Sequence, residues 1–355
     1  MNKIKPLKIG ELEFFPPIIQ GGMGARISKS GLASAVANAG CVGTIASVGL
    51  GYFENVPGKN YVSVNNAALK SEIDRTRTLT DRPFAVNIMG VLTNYSEFVK
   101  ICVKEKVAII ISGASLPLDL PGFDPEKTVK LIPIVSSARA LSIITKKWKK
   151  TYNRVPDGVI IEGPLAGGHL GYSFEYLNNP DQDSLLKTFI DVKQYLTESN
   201  LSFPVIVGGG IFDGSDISRF LRAGADGVQM GTRFVCTNEC DAHINFKKEY
   251  LRATKDDIVI IKSPVGLPGR VVMNPFVTRV MAGDRVPFQC HYQCLKTCNP
   301  AQSPYCIAKA LTDAAGGNLD NAFAFAGQNA YRCNTIIPVQ QLVSTLVDEI
   351  NASLD

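Results

Sequence analysis

Residues Asp157–Tyr172, with the sequence DGVIIEGPLAGGHLGY, are the stretch that decides the fold. Val159–Ile161 is a short β-branched run between turn residues, which predicts a buried strand. Glu162 ends this run, and the loop Gly163–Gly168 then presents His169. An ionisable ring at the carboxyl end of a strand is typical of active sites in parallel α/β proteins. The alternative is a glycine-rich connection whose histidine simply faces solvent.

The same alternation of strands and helices continues on both sides of this stretch. Short, continuously apolar strands separated by helices predict a parallel sheet closed into a barrel, so the expected fold class is an α/β (β/α)8 TIM barrel. Helices are expected near Ser30–Ala39, capped by Ser28 or Ser30, and at Tyr95–Lys104, among others. The eight strands are predicted at Phe15–Gln20, Cys41–Ala46, Phe84–Ile88, Val107–Ser112, Leu131–Val135, Val159–Ile161, Pro204–Val207 and Gly227–Met230.

Composition excludes several classes of protein. Hydrophobic residues make up 45% and charged residues 19% of the 355 residues, which permits a large buried core. Lys and Arg exceed Asp and Glu by 37 − 32 = 5, with no long basic block, so nucleic acid is not an expected partner. No apolar run approaches the ~18 residues of a membrane span, and Met1–Lys8 lacks the apolar core of a signal peptide. A cytoplasmic protein is therefore expected.

Two glycine clusters follow the last two predicted strands. Gly208, Gly209 and Gly210 follow the seventh strand, and Gly231 with Thr232 follows the eighth. Loops at these positions of a (β/α)8 barrel commonly bind phosphate through bare backbone N–H groups. Glycine lets an anion approach the backbone, and a threonine hydroxyl adds a donor. The sequence therefore predicts a ligand that carries a phosphate.

Five motifs in fixed order resemble the FMN-dependent nitronate monooxygenase family, formerly called 2-nitropropane dioxygenases. This family also contains the flavin-dependent enoyl-ACP reductase II enzymes. The resemblance covers roughly residues 15–255. Its motifs are IIQGGMG at 18–24, FAVNIM at 84–89, IIEGPLAGGHLGY at 160–172, PVIVGGGIFDG at 204–214 and DGVQMGTRFVCTNECDAH at 226–243.

The resemblance implies a barrel that holds FMN at its carboxyl-terminal face. His169 matches the histidine that transfers a proton or polarises the substrate, whereas His243 is interpreted as structural. NADH or NADPH could dock above the flavin, so no separate dinucleotide fingerprint is needed. The implied cofactor contacts are Gly21, Gly22 and Met23 against the isoalloxazine ring, Asn87 at its polar edge, Glu162 and Gly167 beside the ribityl chain, and Gly208, Gly209, Gly210, Gly231 and Thr232 around the phosphate.

Two enzymatic activities follow from the resemblance, and both act on a small-molecule substrate. In the first, an alkyl nitronate passes electrons to FMN, and oxygen completes the turnover. In the second, NAD(P)H reduces the flavin, which then reduces an enoyl thioester. A flavin-binding assembly or sensor protein without turnover is the third interpretation, but it gives His169 no role. Substrate preference is expected to reside in the loops Gly49–Ser63 and Leu116–Phe123.

Four cysteines form a compact cluster in the last quarter of the chain. Cys290, Cys294, Cys298 and Cys306 have the spacing C-x3-C-x3-C-x7-C, and a helix would place the first three on one face. Four thiolates suit an iron–sulfur cluster or a structural zinc, although the spacing matches no standard motif. Reduced, partly buried thiols are the alternative. A bound iron–sulfur cluster would favour the reductase activity over nitronate oxidation with oxygen.

The expected organisation is a barrel over residues 1–255 and a C-terminal extension over residues 256–355 that packs on it. Ile307–Ala314 and Val339–Ile350 are predicted helices of this extension. Between them lies Phe323–Cys333, an apolar stretch that contains a glycine. It could pack against the barrel, cover the flavin site or contact a second copy of the chain in a homodimer.

Overall fold

The computed structural model describes residues 4–51, 60–290 and 292–354. The first described elements are two short antiparallel strands, β1 (Leu7–Ile9) and β2 (Leu12–Phe14), which pair in register from Leu7 with Phe14. The sequence analysis missed this hairpin because each strand has three residues, too few to show a periodic pattern.

Eight parallel strands then form the barrel, which confirms the predicted fold class. Barrel strands that follow one another in the chain pair side by side, and the last barrel strand pairs with the first. The first and second barrel strands meet where Val42 N–H donates to the Ile18 carbonyl at 2.9 Å. The barrel strands are β3 (Ile18–Gln20), β4 (Thr44–Ala46), β5 (Ala85–Met89), β6 (Ile109–Gly113), β7 (Lys130–Val135), β8 (Val159–Glu162), β10 (Val205–Gly208) and β11 (Gly227–Met230).

Helices connect the strands on the outside of the barrel. Three short 3-10 helices lie at Leu120–Phe123, Lys255–Asp257 and Ala330–Arg332. In the described ranges, no helix has the length and apolar character that a membrane span requires. The α-helices are α1 (Ser30–Asn38), α2 (Tyr61–Leu79), α3 (Tyr95–Lys104), α4 (Ala138–Tyr152), α5 (Phe174–Asn178), α6 (Ser184–Glu198), α7 (Gly214–Arg222), α8 (Thr232–Val235), α9 (Ile244–Arg252), α10 (Pro275–Met281), α11 (Ile307–Ala315) and α12 (Val339–Leu354).

The core has two main parts. Inside the barrel, side chains from the strands pack with Leu7, Ile9 and Phe14 of the β1–β2 hairpin, which closes the amino-terminal end. A larger cluster fills the space between the strands and the surrounding helices. Because the amino-terminal end is filled with apolar side chains, the carboxyl-terminal end is the end at which a ligand can enter.

The C-terminal extension contains strands as well as helices. β12 (Ile258–Lys262) and β13 (Pro268–Val272) form an antiparallel hairpin, and the two-residue β9 (Gly168–His169) pairs with β13. The predicted helices of the extension are present, and the structure adds a hairpin that acquires its third strand from a loop about a hundred residues earlier. At its other end, α12 packs against α7 and α1 of the barrel. The division at residue 255 stays a prediction.

The start of α1 is capped by a distant residue. Its N-cap residue is Lys29, which makes no side-chain capping hydrogen bond, so the expected caps Ser28 and Ser30 are wrong. The Asp241 carboxylate instead accepts hydrogen bonds from the N–H groups of Lys29, at 2.8 Å, and Leu32, at 3.0 Å, and from that of Gly31. These donors are the N–H groups that a helix leaves without internal partners.

We expect Asp241→Ala to lower the free energy of unfolding by about 2–3 kcal/mol, because several backbone donors lose their acceptor at once. Asp241→Asn keeps one acceptor oxygen and should lose less. Urea denaturation of the three proteins measures the difference. Equal stability of the alanine variant and the native protein would show that water replaces the cap without cost.

Candidate active site at the carboxyl-terminal mouth of the barrel

Residues from three strands meet at the centre of the mouth. Gly21 continues β3 and donates its N–H to the Met230 carbonyl at 2.9 Å. A Cβ on Gly22 would lie 2.4 Å from the Asn87 Cβ, so a side chain at position 22 would collide with Asn87. Beside Gly231, the nearest side chain is that of Met23, with its sulfur 3.6 Å from a Cβ placed there. The predicted ring-contact residues thus lie together around one backbone surface.

The two glycine clusters predicted to bind phosphate lie against the loop after β8. Gly209 and Gly210 adopt φ of 101° and 84°, which favours glycine. A Cβ on Gly209 would lie 2.9 Å from the Gly163 carbonyl oxygen, and one on Gly210 equally close to the Leu165 side chain. Among the described residues, the N–H groups of Gly209 and Gly210 have no acceptor. These donors could therefore bind an anion.

The segment Phe323–Cys333 packs on these loops. Gly327 N–H donates to Thr232 Oγ1 at 2.9 Å, which leaves the hydroxyl proton of Thr232 available to a ligand. Asn329 Nδ2 donates to the Gly210 carbonyl at 2.6 Å. Among the roles open to this segment, the contacts show packing against the barrel, beside the glycine clusters. No local sequence signal linked it to loops about a hundred residues earlier.

Arg270 on β13 places a buried positive charge behind the loop after β8. Its side chain is 1% exposed, and Nη1 donates to the carbonyls of Pro164, at 2.7 Å, and Ala166. Burial lowers the pKa of the guanidinium to about 10, so it remains charged at neutral pH. In the described chain, its Nε and Nη2 have no partner. The sequence analysis missed this residue, whose only signal was an arginine within an apolar strand.

His169 lies on β9, opposite Gly269 of β13. Its Nε2 is 2.7 Å from Ser263 Oγ, and its ring packs edge-on against Phe325 with centroids 4.9 Å apart. Burial lowers the pKa of the imidazole to about 4. The ring is therefore uncharged at neutral pH, and its orientation is held by the hairpin. Ser263 was not predicted, because it lies 94 residues from His169 in the chain.

Glu162 lies at the end of β8, where the sequence analysis placed it, and the structure pairs it with Gly208 of β10. Burial raises the pKa of its carboxyl group to about 7. No cation pairs with this carboxyl group in the described residues. The Tyr172 hydroxyl donates to the Glu162 backbone carbonyl at 2.9 Å, which fastens the end of the glycine loop to the strand. Glu162 can therefore donate or accept a hydrogen bond near neutral pH.

A cavity of about 380 Å³ opens beyond the carboxyl ends of β5 and β6. The predicted loop Leu116–Phe123 forms one wall, Tyr95 and Ser115 contribute hydroxyl groups, and Lys296 adds a positive charge. Most of the other predicted specificity loop, Gly49–Ser63, lies outside the described residues.

The remaining predicted site residues have different outcomes. His243 is exposed and caps α9, with its Nδ1 accepting from Asn245 N–H at 3.2 Å. The cysteine segment forms turns, so the helical arrangement of its first three thiols is wrong. In the described ranges, which omit His291, no three His, Cys, Asp or Glu side chains are placed to hold a metal ion.

The fold is a (β/α)8 barrel, and the candidate ligand site lies at its carboxyl-terminal mouth. The chain belongs to the nitronate monooxygenase family, whose model matches residues 5–94 and 89–349. The families that the chain resembles are flavin enzymes.

Individual relatives have different names. A 5-hydroxy-7a-methyl-1-oxo-octahydro-1H-indene-4-carboxyl-CoA dehydrogenase of Rhodococcus jostii is 30% identical over 74% of this chain, which spans 64% of that protein. A probable nitronate monooxygenase of Staphylococcus aureus is 25% identical over 99% of this chain and 98% of its own length. The structure of FabK from Thermotoga maritima superposes with a TM-score of 0.74 at 28% identity, covering 96% of this chain and 94% of that one.

The pKa of Glu162 predicts how stability depends on pH. Between pH about 4.5 and about 7, the folded protein binds more protons than the unfolded chain, so the free energy of unfolding should fall as pH rises through this window. The full contribution is about 3 kcal/mol. Glu162→Gln should abolish this decrease in urea denaturation of ligand-free protein. An unchanged pH dependence in the variant would contradict the assignment.

Proposed function

We propose that this protein is an FMN-dependent oxidoreductase that oxidises alkyl nitronates with oxygen. The observation that carries the proposal is the position of His169, whose Nε2 lies 2.7 Å from Ser263 Oγ at the mouth of a barrel whose glycine loops suit a phosphate. Full-length similarity to a probable nitronate monooxygenase supports it.

The residues at the mouth fit FMN in chemistry and order. Gly21, Gly22 and Met23 would lie against the ring, and Asn87 would bond its polar edge. Gln229 Oε1 and Ser47 Oγ are buried at this end of the barrel without partners in the described chain, and a polar ring would satisfy them. We infer these contacts from the placement of the residues.

The ribityl and phosphate groups would occupy the other side of the mouth. Glu162 and Gly167 would border the ribityl hydroxyls. The positive charge of Arg270 would attract the phosphate, because the loop whose carbonyls it binds packs against Gly209 and Gly210. The phosphate contacts in this proposal are Gly208, Gly209, Gly210, Gly231 and Thr232.

The lowered pKa of His169 leaves its ring neutral at neutral pH and makes it a weak base. FMN, when bound, supplies the two-electron chemistry and the reaction with oxygen. An imidazole with a pKa of about 4 has a lone pair at neutral pH and little tendency to hold a second proton. It can therefore donate a hydrogen bond from its neutral N–H to the nitro group of a bound nitronate, whereas removal of a proton from a nitroalkane would require the bound substrate to raise its pKa. Stabilisation of a nitronate by an imidazolium ion is disfavoured.

A second candidate is the NAD(P)H-dependent reduction of an enoyl thioester. The structural similarity to FabK, an enoyl-ACP reductase II, extends over nearly the whole chain and favours this activity. The CoA thioester in the name of the Rhodococcus dehydrogenase points to the same substrate class. In this reaction His169 would have to protonate an enolate, for which its lowered pKa is unfavourable unless the substrate raises it.

Visible spectra of protein purified without oxygen distinguish the two activities. We expect an alkyl nitronate to bleach the flavin bands and oxygen to restore them, with consumption of both. Bleaching by NADH or NADPH, followed by reoxidation with an enoyl thioester, would replace the nitronate assignment with the reductase. Protein that contains no flavin, and binds none when FMN is added, would contradict both.

His169→Gln should lower kcat/KM by about 100-fold or more, because the positioned hydrogen bond from the neutral imidazole to the substrate is lost, while FMN content stays unchanged. His243→Gln replaces the other described histidine and should leave kcat/KM close to that of the native protein. Because the pKa of His169 is about 4, native kcat/KM should show no ionisation of this residue between pH about 5 and about 8. Native-like turnover in His169→Gln would remove the catalytic assignment.

A further inference from the structure

The cysteine segment is a long loop that is closed at its base. Val286 N–H donates to the Pro304 carbonyl at 2.7 Å, and Arg285 Nη2 donates to the Gln302 and Ser303 carbonyls at 3.3 and 3.2 Å. Its described residues form turns and a single bridge, with no helix or ladder. Loops of this length without regular structure are uncommon in compact domains unless another interaction orders them.

The middle of the loop is fastened to the mouth of the barrel. Thr93 N–H donates to the Cys294 carbonyl at 3.1 Å, and Lys296 N–H donates to the Val91 carbonyl at 2.9 Å. Val91 and Thr93 follow β5 directly, so the loop lies on the carboxyl-terminal face that also carries the proposed flavin site. The turn from Leu295 to Cys298, with a 3.2 Å hydrogen bond, points the chain back toward its base.

These constraints bring four cysteines to one region of the barrel face. Cys298 Sγ lies 3.7 Å from Ser303 Oγ, three residues before Cys306. Cys306 follows the closed base of the loop at Pro304 by two residues, and Cys290 precedes the turn that begins at Leu295 by five. The thiol of Cys294 lies near enough to those of Cys306, Cys298 and Cys290 to interact with them electrostatically. None of the four is in a disulfide.

We propose that Cys290, Cys294, Cys298 and Cys306 bind a thiolate-coordinated metal centre, either a structural zinc ion or a [4Fe–4S] cluster. Both take four cysteine thiolates and no other protein ligand. In the described ranges no three thiols stand at coordinating distance, so metal binding must draw the loop inward and release the thiol protons. Cys290, which is exposed, would be the fourth ligand of the centre.

The centre gives the loop the crosslink that its hydrogen bonds do not supply. A metal joins the turn at Cys294 and Cys298 to the base at Cys306, and so holds Lys296 over the cavity beyond β5 and β6. The proposal of a metal centre does not depend on which reaction takes place at the mouth of the barrel.

The test is metal and sulfide analysis of the full-length protein, produced with both iron and zinc and purified without oxygen. We expect either about one zinc per chain, or about four iron with about four sulfide and a broad visible absorption that persists after flavin removal. Cys290→Ser, which replaces an exposed thiol and leaves no cavity, should lower the metal content at least tenfold with unchanged circular dichroism. Cys294→Ser should do the same.

Two control variants separate ligation from general damage. Thr297→Ala alters an exposed residue of the same turn, and Cys102→Ala removes a thiol that is buried on α3. Both should retain the metal of the native protein. Native protein with less than about a tenth of an equivalent of either metal overturns the proposal. Metal that Cys290→Ser and Cys294→Ser retain in full overturns it as well.

Discussion

The proposed site depends on the hydrogen bonds that Arg270 donates to backbone carbonyl groups. A charge that is 1% exposed costs several kcal/mol to bury unless it is paired, and here backbone carbonyls of the loop after β8 take the place of a carboxylate. The Arg270 carbonyl also accepts the Ala326 N–H at 3.0 Å. One residue therefore joins the glycine loop, the β12–β13 hairpin and the segment beside Thr232.

The β9–β13 pairing extends this connection to the candidate catalytic residue. His169 occupies the same short strand as Gly168, and its ring meets two groups from the extension, Ser263 and Phe325. The barrel supplies the glycine backbone, while the extension sets the orientation and charge state of the imidazole. Both parts of the chain therefore contribute residues to the candidate site.

The sequence was a good guide to the barrel and a partial guide to the site. Strands such as Val159–Glu162 are continuous apolar runs, and burial on both faces is a property that one sequence displays locally. Residues whose neighbours lie far along the chain gave no such signal. Ser263 beside His169, Asp241 at the start of α1, and Asn329 on Gly210 are tertiary contacts, so their pairing requires the folded chain.

The cysteine loop was predicted in composition but not in conformation. The four-residue spacing of the cysteines suggested a helix. In the structure, the backbone groups of Cys294 and Lys296 instead form hydrogen bonds with the loop after β5, in place of helical hydrogen bonds. The proposed flavin contacts were carried over from motifs. The structure brings Gly22, Asn87 and Gly231 together at the mouth of the barrel. The flavin contacts themselves stay predictions.

The position of α12 has a consequence for how the molecule is assembled. This helix lies between α7 and α1, where the ring of helices around the barrel would otherwise be open, and Glu349 accepts the Gly214 N–H at 2.8 Å. The ring is thus completed by residues that leave the ribosome more than a hundred positions after the last barrel strand. Until α12 has been synthesised, the apolar surface that it covers on the barrel is exposed. A chain that ends before α12 keeps this surface exposed, and chaperones and proteases act on such surfaces.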